Sequence, residues 1–269
     1  MVIVIKIGGS LVAQGKLDTI LSDLASVLPY YKTVLVHGGA KSVTEIAERM
    51  GKKQKFITSP SGIKSRYTDY ETAEIYCMVM SGLLASRIVS FLAGQKVKAF
   101  SISGLDASAI LAERKKKLII LDERNRKVAI EGGYTGKIKH VDSKIIDMLL
   151  QNSYLPVVSP VAIGTDNEIL NVDSDRCASA VASSLKAEQL IFLTNVDGLM
   201  HDGKLVNRLT KDEAKKLLPE IGAGMDKKVM SAIEALENGV KRCVISSGMT
   251  DKPISGILKS DGGTVILNG

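Results

Sequence analysis

A chain of 269 residues that is 45% hydrophobic and 24% charged can bury a substantial core, which excludes intrinsic disorder and small disulfide-stapled scaffolds. Aromatic residues make up only 4% and tryptophan is absent, which disfavours a nucleic-acid reader built on base stacking, while the net charge of +7 points to acidic partners or polyanions. Cys77, Cys177 and Cys243 are spaced unlike a zinc or redox site, and no signal-peptide core or run of about 18 apolar residues is evident, so a soluble cytoplasmic protein with no membrane and no nucleic-acid partner is expected.

Short β-branched runs at 2–7, 34–36, 97–102, 155–158, 190–194, 242–246 and 264–267 alternate with glycines or amphipathic stretches, the order of a mostly parallel sheet wrapped by helices. The first run ends in Lys6-Ile7-Gly8-Gly9-Ser10. The second ends in His37-Gly38-Gly39-Ala40-Lys41, which runs into a helix expected near Ser42. The longest amphipathic stretch, 68–92, opens with Thr68 and Glu71 in capping-box spacing. Residues 114–139 interrupt the pattern: the basic cluster Arg114, Lys115, Lys116 and Lys117 precedes two apolar runs around a polar turn, which predicts a β-hairpin insertion. Asn171-Val172-Asp173-Ser174-Asp175 leads into an alanine-rich helix over 176–185, and Thr194-Asn195-Val196-Asp197-Gly198-Leu199 follows the most apolar strand. Thr210 and Glu213 open a helix over 211–218, and Gly222 to Lys228 precede one over 229–237. No Pro- or Ser-rich linker marks a hinge, so any division into lobes falls softly near residue 160.

Familiar catalytic motifs fail. Gly132 to Lys137 has three residues between its glycines where a P-loop needs four, and Ile138 stands where Ser or Thr is required. GxGxxG, HExxH, GxSxG and protein-kinase signatures are missing, and none of His37, His140 and His201 sits in a nucleophile-elbow context. What remains are two glycine pairs after strands, where a parallel sheet presents ligands and where backbone N–H groups can approach an anion; tight turns without function are the alternative. Lys228 near a helix start opposes the dipole, a conflict that a bound anion would remove unless the lysine is simply solvated. Asp173 or Ser174 suffices to cap the helix that follows, so Asp175 is not needed for capping. Asn195 to Leu199 reads either as a nucleotide edge or as an ordinary Asp-Gly turn.

Taken in order, Lys6 to Ser10, His37 to Ala40, Arg66-Tyr67-Thr68-Asp69, Asn171 to Asp175, Leu193 to Leu199 and Gly224 to Val229 resemble the amino acid kinase family over nearly the whole chain. The resemblance implies an α/β fold, a three-layer αβα sandwich with a mostly parallel central sheet, in which 1–160 binds the acceptor and 161–269 binds ATP on one continuous sheet. It implies transfer of the γ-phosphoryl of ATP, carried with Mg2+, to a side-chain carboxylate. Lys6 and Lys228 would flank the moving group and Asp175 would hold both. Gly38, Gly39, Ala40, Arg66 and Asn171 would bind the acceptor. Gly8, Gly9, Ser10, Thr194, Asn195, Asp197, Gly198, Leu199, Gly224 and Met225 would contact phosphates and nucleotide, and no protein metal site is implied.

Within the family, Ala40, Tyr67, Lys137 and Lys227 are more similar to the branch acting on aminoadipate or glutamate attached to an acidic amino-group carrier protein than to the branch acting on free N-acetylglutamate. Lys41, Lys52, Lys53, Lys55, Lys64, Lys137 and Lys139 are candidates for steering such a carrier, with Arg114 to Lys117 further off. A homodimer through the 68–92 helix is expected from the same resemblance, and the start of the chain at its first strand predicts no hexameric arginine-sensitive form. A non-catalytic sensor of this fold would be expected to lack one of Lys6, Asp175 and Lys228, and all three are present.

Overall fold

The computed structural model describes every residue except Ser61, Ile63 and Asp261, with Lys64 described through its backbone alone. Eight strands form the central sheet: β1 (Val2–Ile7), β2 (Lys32–His37), β3 (Ala99–Ser103), β4 (Leu155–Ser159), β5 (Gln189–Thr194), β6 (Arg208–Thr210), β7 (Arg242–Ser247) and β8 (Thr264–Leu267). Their order is β6-β8-β7-β5-β1-β2-β4-β3, and every pairing is parallel except β7 with β8. The expected runs account for seven of these strands, while three-residue β6 is too short to register as a pattern.

Period-two alternation divides β1 between two cores, as a sheet covered on both faces requires. Ile3, Ile5 and Ile7 pack with Ile20, Leu21 and Leu24 of helix Leu17–Val27 and with Ile88 and Leu92. Val4 faces the other way, with helices Lys144–Gln151, Ser174–Ser184 and Met225–Glu237. This is the αβα sandwich. Lys6 shares the parity of Val4, so its side chain leaves the sheet toward the layer that carries Asp175 and Lys228.

Two four-stranded sheets stand beside the central one, besides a two-stranded ribbon of Met200–His201 and Lys204–Leu205. Ile110–Arg114, Gly136–Val141, Val161–Gly164 and Ile169–Asn171 form the first. The second contains the expected hairpin, Lys117–Leu121 with Lys127–Glu131, joined to an unanticipated hairpin of Phe56–Thr58 and Lys64–Arg66.

Three expectations need correction. The long helix runs Tyr70–Gly94 with a π-helical centre, Met78–Leu84, and its cap is Asp69, whose side chain accepts from the Thr72 amide at 2.8 Å. Thr68 is instead buried, and its hydroxyl accepts from Asn171 Nδ2. The same helix is long and apolar enough, by length and composition, to cross a bilayer; one side of it, including Ile75, Val79, Leu84, Ile88 and Leu92, is packed into the protein core. Third, the helix expected over 229–237 begins at Met225, with Gly224 at φ +93° before it, a conformation that suits glycine.

Candidate active site

Lys6, Asp175 and Lys228 meet. Lys6 Nζ lies 2.5 Å from Asp175 Oδ1, and Lys228 Nζ lies 3.1 Å from Oδ2. Each arrives by a separate local rule. Lys6 comes from the alternation of β1. Asp175 is the second residue of helix Ser174–Ser184, whose cap Asp173 accepts from the amides of Asp175 and Arg176, leaving the Asp175 carboxylate free to turn inward. Lys228 is the fourth residue of Met225–Glu237, one turn before buried Ala232. Lys6 and Asp175 are 3% and 5% exposed, so solvent screens this cluster weakly. Burial pushes the Asp175 carboxyl upward, but Lys6 and Lys228 outweigh it and hold the group below the usual carboxylate range. The trio carries one net positive charge.

The two glycine turns pack against each other. A Cβ on Gly9 would lie 3.0 Å from Gly39 N, one on Gly38 would lie 2.9 Å from Gly9 N, and one on Gly8 would lie 2.9 Å from Leu193 O. Close backbone approach therefore demands glycine here whatever the ligand. The Gly8 and Gly38 amides also extend the sheet, donating to Leu193 O and Ile7 O. Gly9 and Ser10, and Ala40, instead open helices Gly9–Ala13 and Ala40–Arg49, where first-turn amides have no intrahelical acceptor. Those amides, and not Gly8 or Gly38, can hold an anion.

A cavity of about 570 Å³ opens in front of the turns, lined by Gly9, Gly38, Gly39, Ala40, Arg66 and Asn171 among others. Hairpin residues Leu118, Ile119 and Ile120 line it too. The expected acceptor residues thus share one hollow; Lys6, Asp175 and Lys228 do not line it, although their chain neighbours Ser174 and Lys227 do. Arg66 Nη2 donates to Ala40 O and Thr44 Oγ1, both at 2.7 Å, and Nη1 donates to Gln54 Oε1. These three acceptors are neutral oxygens, and the Phe56 ring lies 5.1 Å from the guanidinium carbon, so none of these contacts cancels the charge. Sequence reasoning put Arg114 to Lys117 away from the site, yet Lys115 lines the cavity with Arg176 and Lys227. Burial pushes the Lys115 ammonium down, and Arg176 adds to the effect. The basic run before an apolar strand was the available signal. Lys52 pairs with Asp69 and Glu71, and Lys139 with Glu113, so neither offers a free charge; the Lys64 side chain lies outside the described atoms.

The expected nucleotide residues divide. Asn195 and Asp197 are exposed beyond the carboxyl end of β5, and Ser10 and Gly224 are exposed as well. Thr194 is buried at the strand end. Leu199 is a core residue whose amide donates to Thr264 Oγ1 at 2.8 Å, so neither its side chain nor its N–H faces a ligand. Gly198 packs on the same Thr264 oxygen, 2.7 Å from where its Cβ would stand. The Gly224 amide donates to Asp226 Oδ1, and Met225 packs on the core.

A profile of the amino acid kinase family matches residues 1–247. A protein of Sulfurisphaera tokodaii named LysW-aminoadipate/LysW-glutamate kinase is 48% identical over 266 residues, covering 98% of this chain and 100% of its own. An N-acetylglutamate synthase from Neisseria gonorrhoeae, solved with coenzyme A and N-acetyl-glutamate, superposes with TM-score 0.80 at 25% identity; all of this chain is covered, and it spans 59% of that one. A carbamate kinase of Giardia has the same fold, with TM-score 0.68, 16% identity and coverage of 100% and 99%.

Proposed function

The chain belongs to the amino acid kinase family and is a phosphotransferase acting on a carboxylate, and from that premise we propose that its acceptor is 2-aminoadipate, and also glutamate, attached to an acidic amino-group carrier protein. The product is an acyl phosphate of lysine biosynthesis and, with glutamate, of arginine biosynthesis. The name carried by the 48% identical relative supports this reading. So does the lining of the cavity, where Lys115, Arg176 and Lys227 stand against the carboxylate of Asp173, with Arg176 also paired to Glu234 at 3.4 Å. Acceptor binding falls to the 1–160 side of the sheet and ATP to the 161–269 side; magnesium enters with the nucleotide as part of that substrate.

The observation that carries the mechanism is the shared aspartate. An acceptor carboxylate is already an ionised nucleophile, so transfer needs in-line positioning and charge neutralisation rather than a strong base. Lys6 and Lys228, held by Asp175, place net positive charge where the phosphoryl oxygens pass. Amides of Gly9 and Ala40 orient oxygens on either side, and Arg66 receives the acceptor's second carboxylate. Lys228→Ala is expected to lower kcat by about 10²- to 10³-fold while leaving the acceptor KM within a few-fold.

Trapping with hydroxylamine tests the acceptor. With MgATP, hydroxamate is expected from carrier-bound aminoadipate and carrier-bound glutamate. Hydroxamate from free N-acetylglutamate, with none from either carrier-bound substrate, overturns the assignment.

A further inference from the structure

Behind the second glycine turn lies a buried polar chain that the transfer step does not use. His37, the last residue of β2, is fully buried, and its Nε2 stands 3.0 Å from Ser159 Oγ at the end of β4. The Ser159 hydroxyl donates to Met80 O at 3.2 Å. A hydroxyl has one hydrogen. With that hydrogen directed at Met80, the Ser159 oxygen accepts from His37, which requires a proton on Nε2, while buried Nδ1 meets no acceptor among the described residues that would favour a second proton. Burial keeps the ring neutral, pulling the His37 pKa down to about 4 against the backbone of Gly38, which raises it, and Lys6 adds to the downward effect.

Met80 belongs to the π-helical stretch Met78–Leu84, and its carbonyl also accepts from the Ala85 amide five residues on. Such stretches are rare and concentrate at functional sites, because they redirect the groups on one face of a helix. Here the redirected side chains press on the glycine turn: a Cβ on Gly39 would lie 2.9 Å from Met80 Sδ and would overlap Leu84. Met80, Gly38 and Gly39 all line the cavity.

We propose that the chain His37–Ser159–Met80 is a positioning device that sets the Gly38–Gly39 turn, and with it the Ala40 amide, against the acceptor. His37 touches no reacting atom and acts through the turn. The proposal rests on the functional reading above, in which that turn orients the acceptor carboxylate. The π-helical stretch supplies the carbonyl and the packing surface, β4 supplies the hydroxyl, and β2 supplies the donor at the residue preceding the turn.

Kinetics of four variants test it. His37→Leu and Ser159→Ala are each expected to lower kcat by roughly 10- to 100-fold, the cost of misplacing a positioning group, with MgATP KM nearly unchanged. His37→Gln, whose amide can still donate to Ser159, is expected to recover most of the loss. The double variant His37→Leu/Ser159→Ala is expected to be no slower than the worse single one, because both break the same chain. Equal kcat in the Gln and Leu variants, or losses that add in the double variant, overturns the proposal. A role in stability alone would lower Tm without this kcat pattern, and also overturns it. With only three histidines in the chain, 15N-imidazole spectra at pH 7 read the tautomer directly. An Nδ1–H or charged His37 overturns the assignment even if the wild type makes no acyl phosphate, an outcome that would separately sink the functional reading.

Discussion

Two ammonium groups converging on one buried carboxylate leave a charge that the protein itself does not neutralise. An isolated buried ion costs several kcal/mol, so an arrangement kept for stability would be expected to balance, and the excess charge fits the proposal that an anion completes it. Asp175→Asn would leave Lys6 and Lys228 facing each other without their counter-ion, and kcat is expected to fall by about 10²-fold or more. The same variant has a pH signature. The folded-state pKa of Asp175 is depressed, so its contribution to stability is present above the ordinary carboxyl value near 4 and is lost as pH falls through the folded-state value. Tm measured from pH 7 down to pH 3 should therefore show wild type well above Asp175→Asn at neutrality, with the gap closing below about pH 4. A gap that is constant across that range would mean the carboxylate is not held by the two lysines.

At the scale of elements, the glycine turns were legible as turns but their reason was not. A sequence shows that Gly38 follows a strand; it does not show that Gly9 from another strand sits against it. Gly38→Ala puts a Cβ 2.9 Å from Gly9 N and should cost about 1 to 3 kcal/mol together with most of the activity. Gly15→Ala makes the contrast: φ is +70° there but nothing lies within 4 Å of the added carbon, so about 1 kcal/mol of strain is expected with activity kept. Denaturant midpoints and kcat for the pair separate packing of the site from backbone strain. Seven of the eight strands of the central sheet and the capping box of helix Lys211–Leu217 were readable because apolar runs and side-chain caps are local. Other features depended on contacts far along the chain. Thr68 was drawn inward by Asn171, 103 residues away, which left Asp69 as the cap. The π-helical stretch meets Ser159, 79 residues from Met80, and its own residues give no propensity signal for it. Lys6, Asp175 and Lys228 were identified through resemblance; their meeting follows from strand parity and helix placement, which only the assembled sheet supplies.

For the whole molecule, the net charge of +7 acquires meaning from where it is concentrated. Lys115, Arg176 and Lys227 line the cavity, exposed Lys137 stands close enough to act on Lys115 and Glu113, and exposed Lys116 acts on Glu113. A field of this kind accelerates encounter with an acidic macromolecule far more than with a small acceptor, because the macromolecule presents many charges over a distance comparable to the Debye length. Screening shortens that length from roughly 10 Å at 0.1 M salt to about 3 Å at 1 M. Raising salt across this range should increase the KM for a carrier-bound acceptor at least several-fold more than the KM for MgATP. Lys116→Glu/Lys137→Glu should reproduce the high-salt behaviour at low salt, with Tm and the MgATP KM close to those of wild type. Equal salt sensitivity for both substrates would remove the electrostatic case for a protein-borne acceptor, while leaving the role proposed for the lysine pair untouched.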